Sequence, residues 1–270
     1  MQPLTLINGS ATRTLASSDR GLCFGQGVTT SIRVSSGQPE LWSDHLNALE
    51  QSAKALGFVV PGLEPLLKRD IGLLPKVDLI IKVILTAGIG DGSYQMSETP
   101  MPTRIVQIDP IPLSLQCQPP ATLFMCHTRL SHNQQLAGIK CLNRTEHLLA
   151  SCESPMQSMS DGLMMDPNGC VISSTRANLF ILNKEGLITP DLSRCGVAGV
   201  MRQTVIRLAD RLGIPLTVAD CSINQILSAD ALFLTNAVRR IWPVVRFEQT
   251  AYSPSPVIER LQRALEPQLV

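Results

Sequence analysis

The stretch LAGIKCLNRTEHLLA, residues 136–150, decides how this chain is read. Leu136, Ala137, Gly138 and Ile139 lead straight into Lys140, and an amphipathic helix is expected soon after it. A lysine on a solvated helix face needs no explanation. One that ends an apolar run, just past a glycine, is a candidate for a pocket. Desolvation lowers a lysine pKa and leaves a neutral amine, which attacks carbonyl groups. On pattern alone, the structural reading of such a lysine remains the commoner one.

The rest of the chain narrows the class. It has 270 residues, 44% of them hydrophobic, and a formal charge of +1 from 23 basic and 22 acidic side chains. That balance and the lack of a basic block exclude a nucleic-acid partner. Apolar runs such as 79–85 have strand length and carry Lys82, so no membrane partner is expected. MQPLTLINGS lacks the charged and apolar regions of a signal peptide. Cysteines 23, 117, 126, 141, 152, 170, 195 and 221 are scattered without a C-x-x-C pair. They read as small hydrophobes of a reduced, cytoplasmic protein with no metal site.

Outward from Lys140, strand and helix signals alternate. LTLI, Asn8-Gly9 and the polar stretch after it predict a hairpin. VTTSIRV (28–34) is a β-branched strand, and Ser43 is placed to cap a helix that runs to Gly57. A second helix is expected from Pro61, and strands over 78–86 and 103–108. Pro110, Pro112, Pro119 and Pro120 mark a linker, which divides the chain into 1–115 and 116–270. Strands at 121–126, 161–166, 178–183, PLTVAD, ALFLTN and IWPVVRF follow, with helices over 196–213 and 255–266. The fold class is α/β, in the sense of two mixed α+β domains.

Most candidate sites have bland readings. AGIGDGSY lacks the G-K-[ST] of a phosphate loop, the four histidines show no H-E-x-x-H spacing, and no G-x-S-x-G elbow exists. His45 and His147 fall in expected helices and read as structural. Lys140 is different. Its natural carbonyl partner is pyridoxal 5'-phosphate (PLP), whose phosphate needs backbone N–H groups at a helix N-terminus. GVAG, 196–199, offers such a terminus.

On these residues the chain resembles the fold-type IV PLP enzymes, the class IV aminotransferase family, and within it the 4-amino-4-deoxychorismate lyases. The similarity runs through SSDRGLCFGQG (17–27), LAGIKCLNRTE (136–146), ISSTRANLF (172–180), LITPDLSRCGVAGVMR (187–202) and TNAVRRIWPV (235–244). It implies a small N-terminal and a larger C-terminal domain, a cofactor site between them and a homodimer. It implies that Lys140 forms the Schiff base with PLP, while backbone at Val197 and Ala198, with Asn236 and Ala237, holds the phosphate. Thr30 falls where aminotransferases of this fold carry glutamate, which favours a lyase and makes Thr30 a catalytic candidate. The implied reaction removes pyruvate from 4-amino-4-deoxychorismate and leaves 4-aminobenzoate, a folate precursor. Arg33, Arg129 and His132 are candidates for the carboxylates of this small-molecule substrate.

Three departures from the family pattern stand out. Ser173 replaces the glutamate that pairs with the pyridine nitrogen, and a hydroxyl supplies no negative charge there. Ala48 replaces the phosphate arginine of H-x-x-R-L. A hydrogen bond to a charged group contributes about 1.5–3 kcal/mol, so this loss weakens PLP binding roughly tenfold to a hundredfold. Gly25-Gln26-Gly27-Val28-Thr29 replaces G-D-G-x-F, and Thr86-Ala87-Gly88 replaces T-R-G. Two alternatives therefore stay open beside the lyase: a family member that has lost much or all of its catalysis, and an aminotransferase for D- or branched-chain amino acids.

Overall fold

Period-two alternation builds the first half of the molecule. In the computed structural model, which describes residues 4–72, 77–97, 100–112, 115, 118–154 and 159–269, strands β1 (Leu4–Ile7) and β2 (Ser10–Ala11) form the expected hairpin. Asn8 and Gly9 make its turn, with φ of 51° and 86°. Helix α1 (Arg20–Phe24) leads into β3 (Gly27–Ser35), which turns into β4 (Gln38–Pro39). Helices α2 (Trp42–Ala55) and α3 (Leu63–Ile71), then β5 (Leu79–Thr86) and β6 (Thr103–Pro110), complete the set. The six strands form one antiparallel sheet in the order β2-β1-β6-β5-β3-β4.

That sheet has two unlike faces. Along β5, Leu79, Ile81, Val83 and Leu85 are fully buried, while Lys82 between them is exposed. Helix α2 packs on β3 and β5 and covers the buried side, burying His45, Leu46, Leu49 and Ala53. Each fully buried Leu, Ile or Val side chain contributes about 1.5–3 kcal/mol. Two expected helix starts move. The first is Trp42, not a turn capped by Ser43, because Leu41 in the left-handed region (φ 51°) turns the chain two residues earlier. The second is Leu63, two residues past Pro61, behind Gly62 at φ 64°.

The second half closes on itself. It contains β7 (Ala121–Met125), α4 (Thr145–Ser151), β8 (Asp161–Met165), β9 (Val171–Ser174), β10 (Asn178–Asn183) and β11 (Gly186–Pro190). These are followed by α5 (Val200–Arg211), β12 (Leu216–Ala219), α6 (Ile223–Leu227), β13 (Ala231–Asn236), β14 (Arg240–Phe247), β15 (Thr250–Ala251) and α7 (Pro256–Leu265). The order β10-β13-β14-β7-β8-β9 returns to β10 through the pair Asn178–Ser173, making a ring of six strands. Leu123, Leu163, Val171, Leu179, Leu232, Leu234 and Val244 belong to one apolar core on its inner side. On the outer side Phe180 and Phe233 stack 4.8 Å apart, and α5 packs over β13.

The chain divides into two compact units, Met1–Gln116 with Lys140–Asn143 and Val270, and Cys117–Ile139 with Arg144–Leu269. The division differs from a single cut at 115/116 because the four residues from Lys140 group with the first sheet. Cys117 and part of the proline-rich linker lie outside the described residues. Among the described residues, no helix is long and apolar enough to cross a membrane.

Candidate active site

Backbone hydrogen bonds seat Lys140 against β3. The Thr29 N–H donates to Lys140 O and the Leu142 N–H to Gly27 O, each at 3.0 Å. Val28 and Cys141 face each other as an antiparallel bridge, so residues 140–142 add a short strand along β3. The two glycines of Gly25-Gln26-Gly27 make room for it. A Cβ on Gly27 would stand 2.6 Å from Leu142 Cδ1, and one on Gly25 would stand 2.0 Å from Asn143 Oδ1. The pleat sends Cys141 (2% exposed) into the core and Lys140 to the opposite face. The side chain of Lys140 is exposed in the structure, which differs from the desolvated lysine expected of an apolar run.

The same pleat sorts the hydroxyls of β3. Thr29 is opposite Lys140, so Thr29, Ser31 and Arg33 share the lysine's face. Thr30 points the other way, under α2, where its Oγ1 lies 2.7 Å from His45 Nδ1. Burial pushes the His45 pKa down to about 4, so at neutral pH this ring is uncharged. Thr30 is therefore displaced as a candidate for direct contact with reacting atoms. Strand parity counted from Thr29 is the signal that places Ser31 and Arg33, rather than Thr30, on the lysine's face. Arg33 Nε is 3.7 Å from Glu40 Oε1, a carboxylate 3% exposed.

In the second unit a row of polar groups lies on the outer side of the ring. Ser173, Asn178 and Thr235 are consecutive cross-strand partners on β9, β10 and β13. Partners directly opposite one another point to the same face. Asn178 shows which face this is. Its Nδ2 donates to Val197 O at 2.7 Å, and its Oδ1 accepts from the Gly199 N–H at 3.2 Å. Gly199 is the cap of α5, and a Cβ there would come within 2.5 Å of Asn178 Oδ1. The row of three thus stands under the N-terminus of α5.

That terminus starts later than position 196 because the segment before it is tied down. The Gly138 N–H donates to Gly196 O, and the Ala198 N–H to Gly138 O, both at 3.0 Å. Ala198 therefore has no backbone donor to spare for a phosphate, a correction to its expected role. Helix α5 has no side-chain cap and no acidic residue in its first turn, so its first N–H groups and positive dipole end are left for an anion. Thr235 Oγ1 is buried without a hydrogen-bond partner. These donors fit the phosphate group of PLP. Asn236 shapes the next turn, its Oδ1 accepting from the Val238 and Arg239 N–H groups at 3.0 and 2.7 Å, with Ala237 between.

The remaining candidates have structural partners. His132 Nε2 is 2.8 Å from Asp166 Oδ2, and Arg194 approaches the same carboxylate at 3.7 Å. Burial raises the Asp166 carboxyl, but hydrogen bonds from His132 and the Cys170 N–H outweigh it and hold the group below the ordinary carboxylate range. Arg129 is exposed. Arg33 belongs to the first unit, whereas Arg129 and His132 belong to the second. Gln26, where the family carries aspartate, accepts from Arg20 Nε at 2.6 Å and donates to Leu56 O at 2.9 Å. Arg202 is buried and bonds Thr189 Oγ1 and Pro190 O, fastening α5 to β11. Among the described residues, no cluster of His, Cys, Asp and Glu suits a metal ion.

Comparison with known proteins gives this geometry a context. The model of the family described as amino-transferase class IV matches residues 27–247. The chain is 30% identical to an aminodeoxychorismate lyase of Vibrio harveyi over 242 residues, covering 88% of this chain and 89% of that protein. The crystal structure of 4-amino-4-deoxychorismate lyase from Pseudomonas aeruginosa is similar with a TM-score of 0.91 and 33% identity, covering 98% and 99% of the two chains. A putative branched-chain-amino-acid aminotransferase of Methanocaldococcus jannaschii is 26% identical, over 85% of this chain and 81% of that protein.

Proposed function

This chain belongs to the amino-transferase class IV family, and from that premise we propose that it is an aminodeoxychorismate lyase. It uses PLP to release pyruvate from 4-amino-4-deoxychorismate and form 4-aminobenzoate for folate synthesis. The observation that carries this reading is Lys140, fastened to β3 by backbone on a face that also presents hydroxyls and Arg33. Its identity of 30–33% to two lyases over nearly the whole chain supports elimination over transamination.

Bound PLP supplies an electron sink for charge that develops at the amine-bearing carbon. Lys140 is the residue that would hold the cofactor through its Nζ. With PLP bound, the Lys140 amine would take the proton from the amine-bearing ring carbon of the substrate and return one to the departing enolpyruvate, so one group would serve as base and acid. Val197, the first N–H groups of α5 and the Asn236-Ala237 turn receive the phosphate. Ser173 would offer the pyridine nitrogen a hydroxyl in place of a carboxylate, which supplies no negative charge there; elimination driven by aromatisation asks less of the electron sink. Arg33 remains the substrate-carboxylate candidate on the lysine's face. We assign a cytoplasmic homodimer.

Reconstitution tests the proposal. PLP is added to the purified protein, the visible band is recorded, and borohydride reduction is followed by peptide mapping. The expected result is a pyridoxyl group on Lys140 and pyruvate release from 4-amino-4-deoxychorismate. Lys140→Ala should lower that release by about 10²–10⁴-fold. Ala48 and Ser173 favour one other reading, a family member with little catalysis. A folded protein that leaves Lys140 unmodified would establish it and overturn the lyase.

A further inference from the structure

Thr235 carries a buried hydroxyl that the described part of the fold does not use. The residue is 1% exposed, and its Oγ1 makes no hydrogen bond. Its neighbours explain why. On one side stands Asn178, whose amide is committed to Val197 O and the Gly199 N–H. On the other stands Ile241, which is apolar. The strand's own backbone groups are engaged in the ladders to β10 and β14. Native folds seldom leave a buried donor unmade, and each exception asks for a ligand or a role.

The surroundings specify the ligand's charge. Helix α5 packs over β13, and Asn178 ties the start of that helix to the row in which Thr235 stands. The start of α5 has neither a capping side chain nor an acidic residue. A free hydroxyl donor beside such a terminus suits an oxyanion. We propose that Thr235 is a cofactor ligand, its Oγ1 donating to a phosphate oxygen of PLP. This deepens the lyase reading and rests on its cofactor. It also gives the phosphate a donor from a strand, in a chain that has Ala48 where relatives have arginine.

The experiment compares wild type, Thr235→Val and Thr235→Ser. Two readouts are taken for each: thermal unfolding without cofactor, and absorption titrations with PLP and with pyridoxal, which lacks the phosphate. Valine removes the hydroxyl and keeps the shape, so without cofactor it should unfold at the same temperature or higher. Its PLP dissociation constant should rise about tenfold to a hundredfold, with pyridoxal affinity unchanged and serine close to wild type. Unchanged PLP affinity in a folded valine variant overturns the proposal, and a lowered unfolding temperature with it assigns the hydroxyl to packing. Equal weakening toward PLP and pyridoxal also overturns it, since the phosphate is then not the partner. Should valine fail to fold, Thr235→Ala is read in the same way. Wild type that binds no PLP sinks the cofactor reading and this proposal together, whereas wild type that binds PLP beside an unaffected variant sinks this proposal alone.

Discussion

Thr30 and Thr235 are both buried threonines in paired strands, and their hydroxyls have opposite fates. Thr30, in β3, meets His45 at 2.7 Å under a helix that shields both from water. The hydroxyl of Thr235, in β13, finds no hydrogen-bond partner among the described residues. The contrast teaches how to separate structure from function among buried polar groups. A satisfied hydroxyl is already part of the fold, and its loss is felt in stability. An unsatisfied one costs stability to keep, and it persists where something outside the chain completes it.

The largest effect expected from this contrast lies in pH. Unfolded, His45 takes up a proton near pH 6.5, while folded it resists until about pH 4. Stability from this group is therefore full above pH 6.5 and falls as pH drops toward 4, by on the order of 3 kcal/mol. Urea titrations across that window should show a steeper loss for wild type than for His45→Gln. Parallel curves would break the Thr30 side of the comparison. Next in size is Thr30→Val, which strands a buried ring nitrogen and should cost about 2 kcal/mol of stability. PLP affinity should stay within about twofold of wild type, since this hydroxyl faces α2; a large loss of affinity would return Thr30 to the reacting centre.

The smallest effect sharpens the same contrast within two adjacent residues. Ser174 Oγ donates to the buried Asp161 carboxylate at 2.8 Å. Ser173 makes no side-chain hydrogen bond among the described residues although it is 4% exposed. Ser174→Ala should lower stability by about 1–2 kcal/mol, against less than about 0.5 kcal/mol for Ser173→Ala. The second variant should instead shift the visible absorption of the bound cofactor. Equal stability losses would show that Ser173 is structural.

Much of this architecture was legible from local pattern. The Asn8-Gly9 hairpin, the 79–86 strand and the long helix near 200 follow from turn chemistry and period, and the structure contains each. What stayed hidden needs partners distant in sequence. Nothing local to Val28 says that Cys141 will lie beside it, so the sequence alone does not choose the face of β3 that receives Lys140. Nothing local to Ala198 says that Gly138 will take its N–H. Ser43 misled as a cap because Leu41 adopts a left-handed conformation that leucine rarely visits. Thr235 gave no signal at all, since an unmade bond is a property of tertiary surroundings.

The four-residue strip from Lys140 to Asn143 has a consequence for inheritance. It is encoded within the second half of the chain and completes the sheet of the first. A fragment that ends near position 116 would bring β3 without the lysine, and the remainder would bring the lysine without β3. Neither half alone would carry Lys140 seated against β3. Recombination that shuffles such halves must keep both parents matched along this one short seam, where Gly25 and Gly27 admit Asn143 and Leu142 and a single added methyl would not fit.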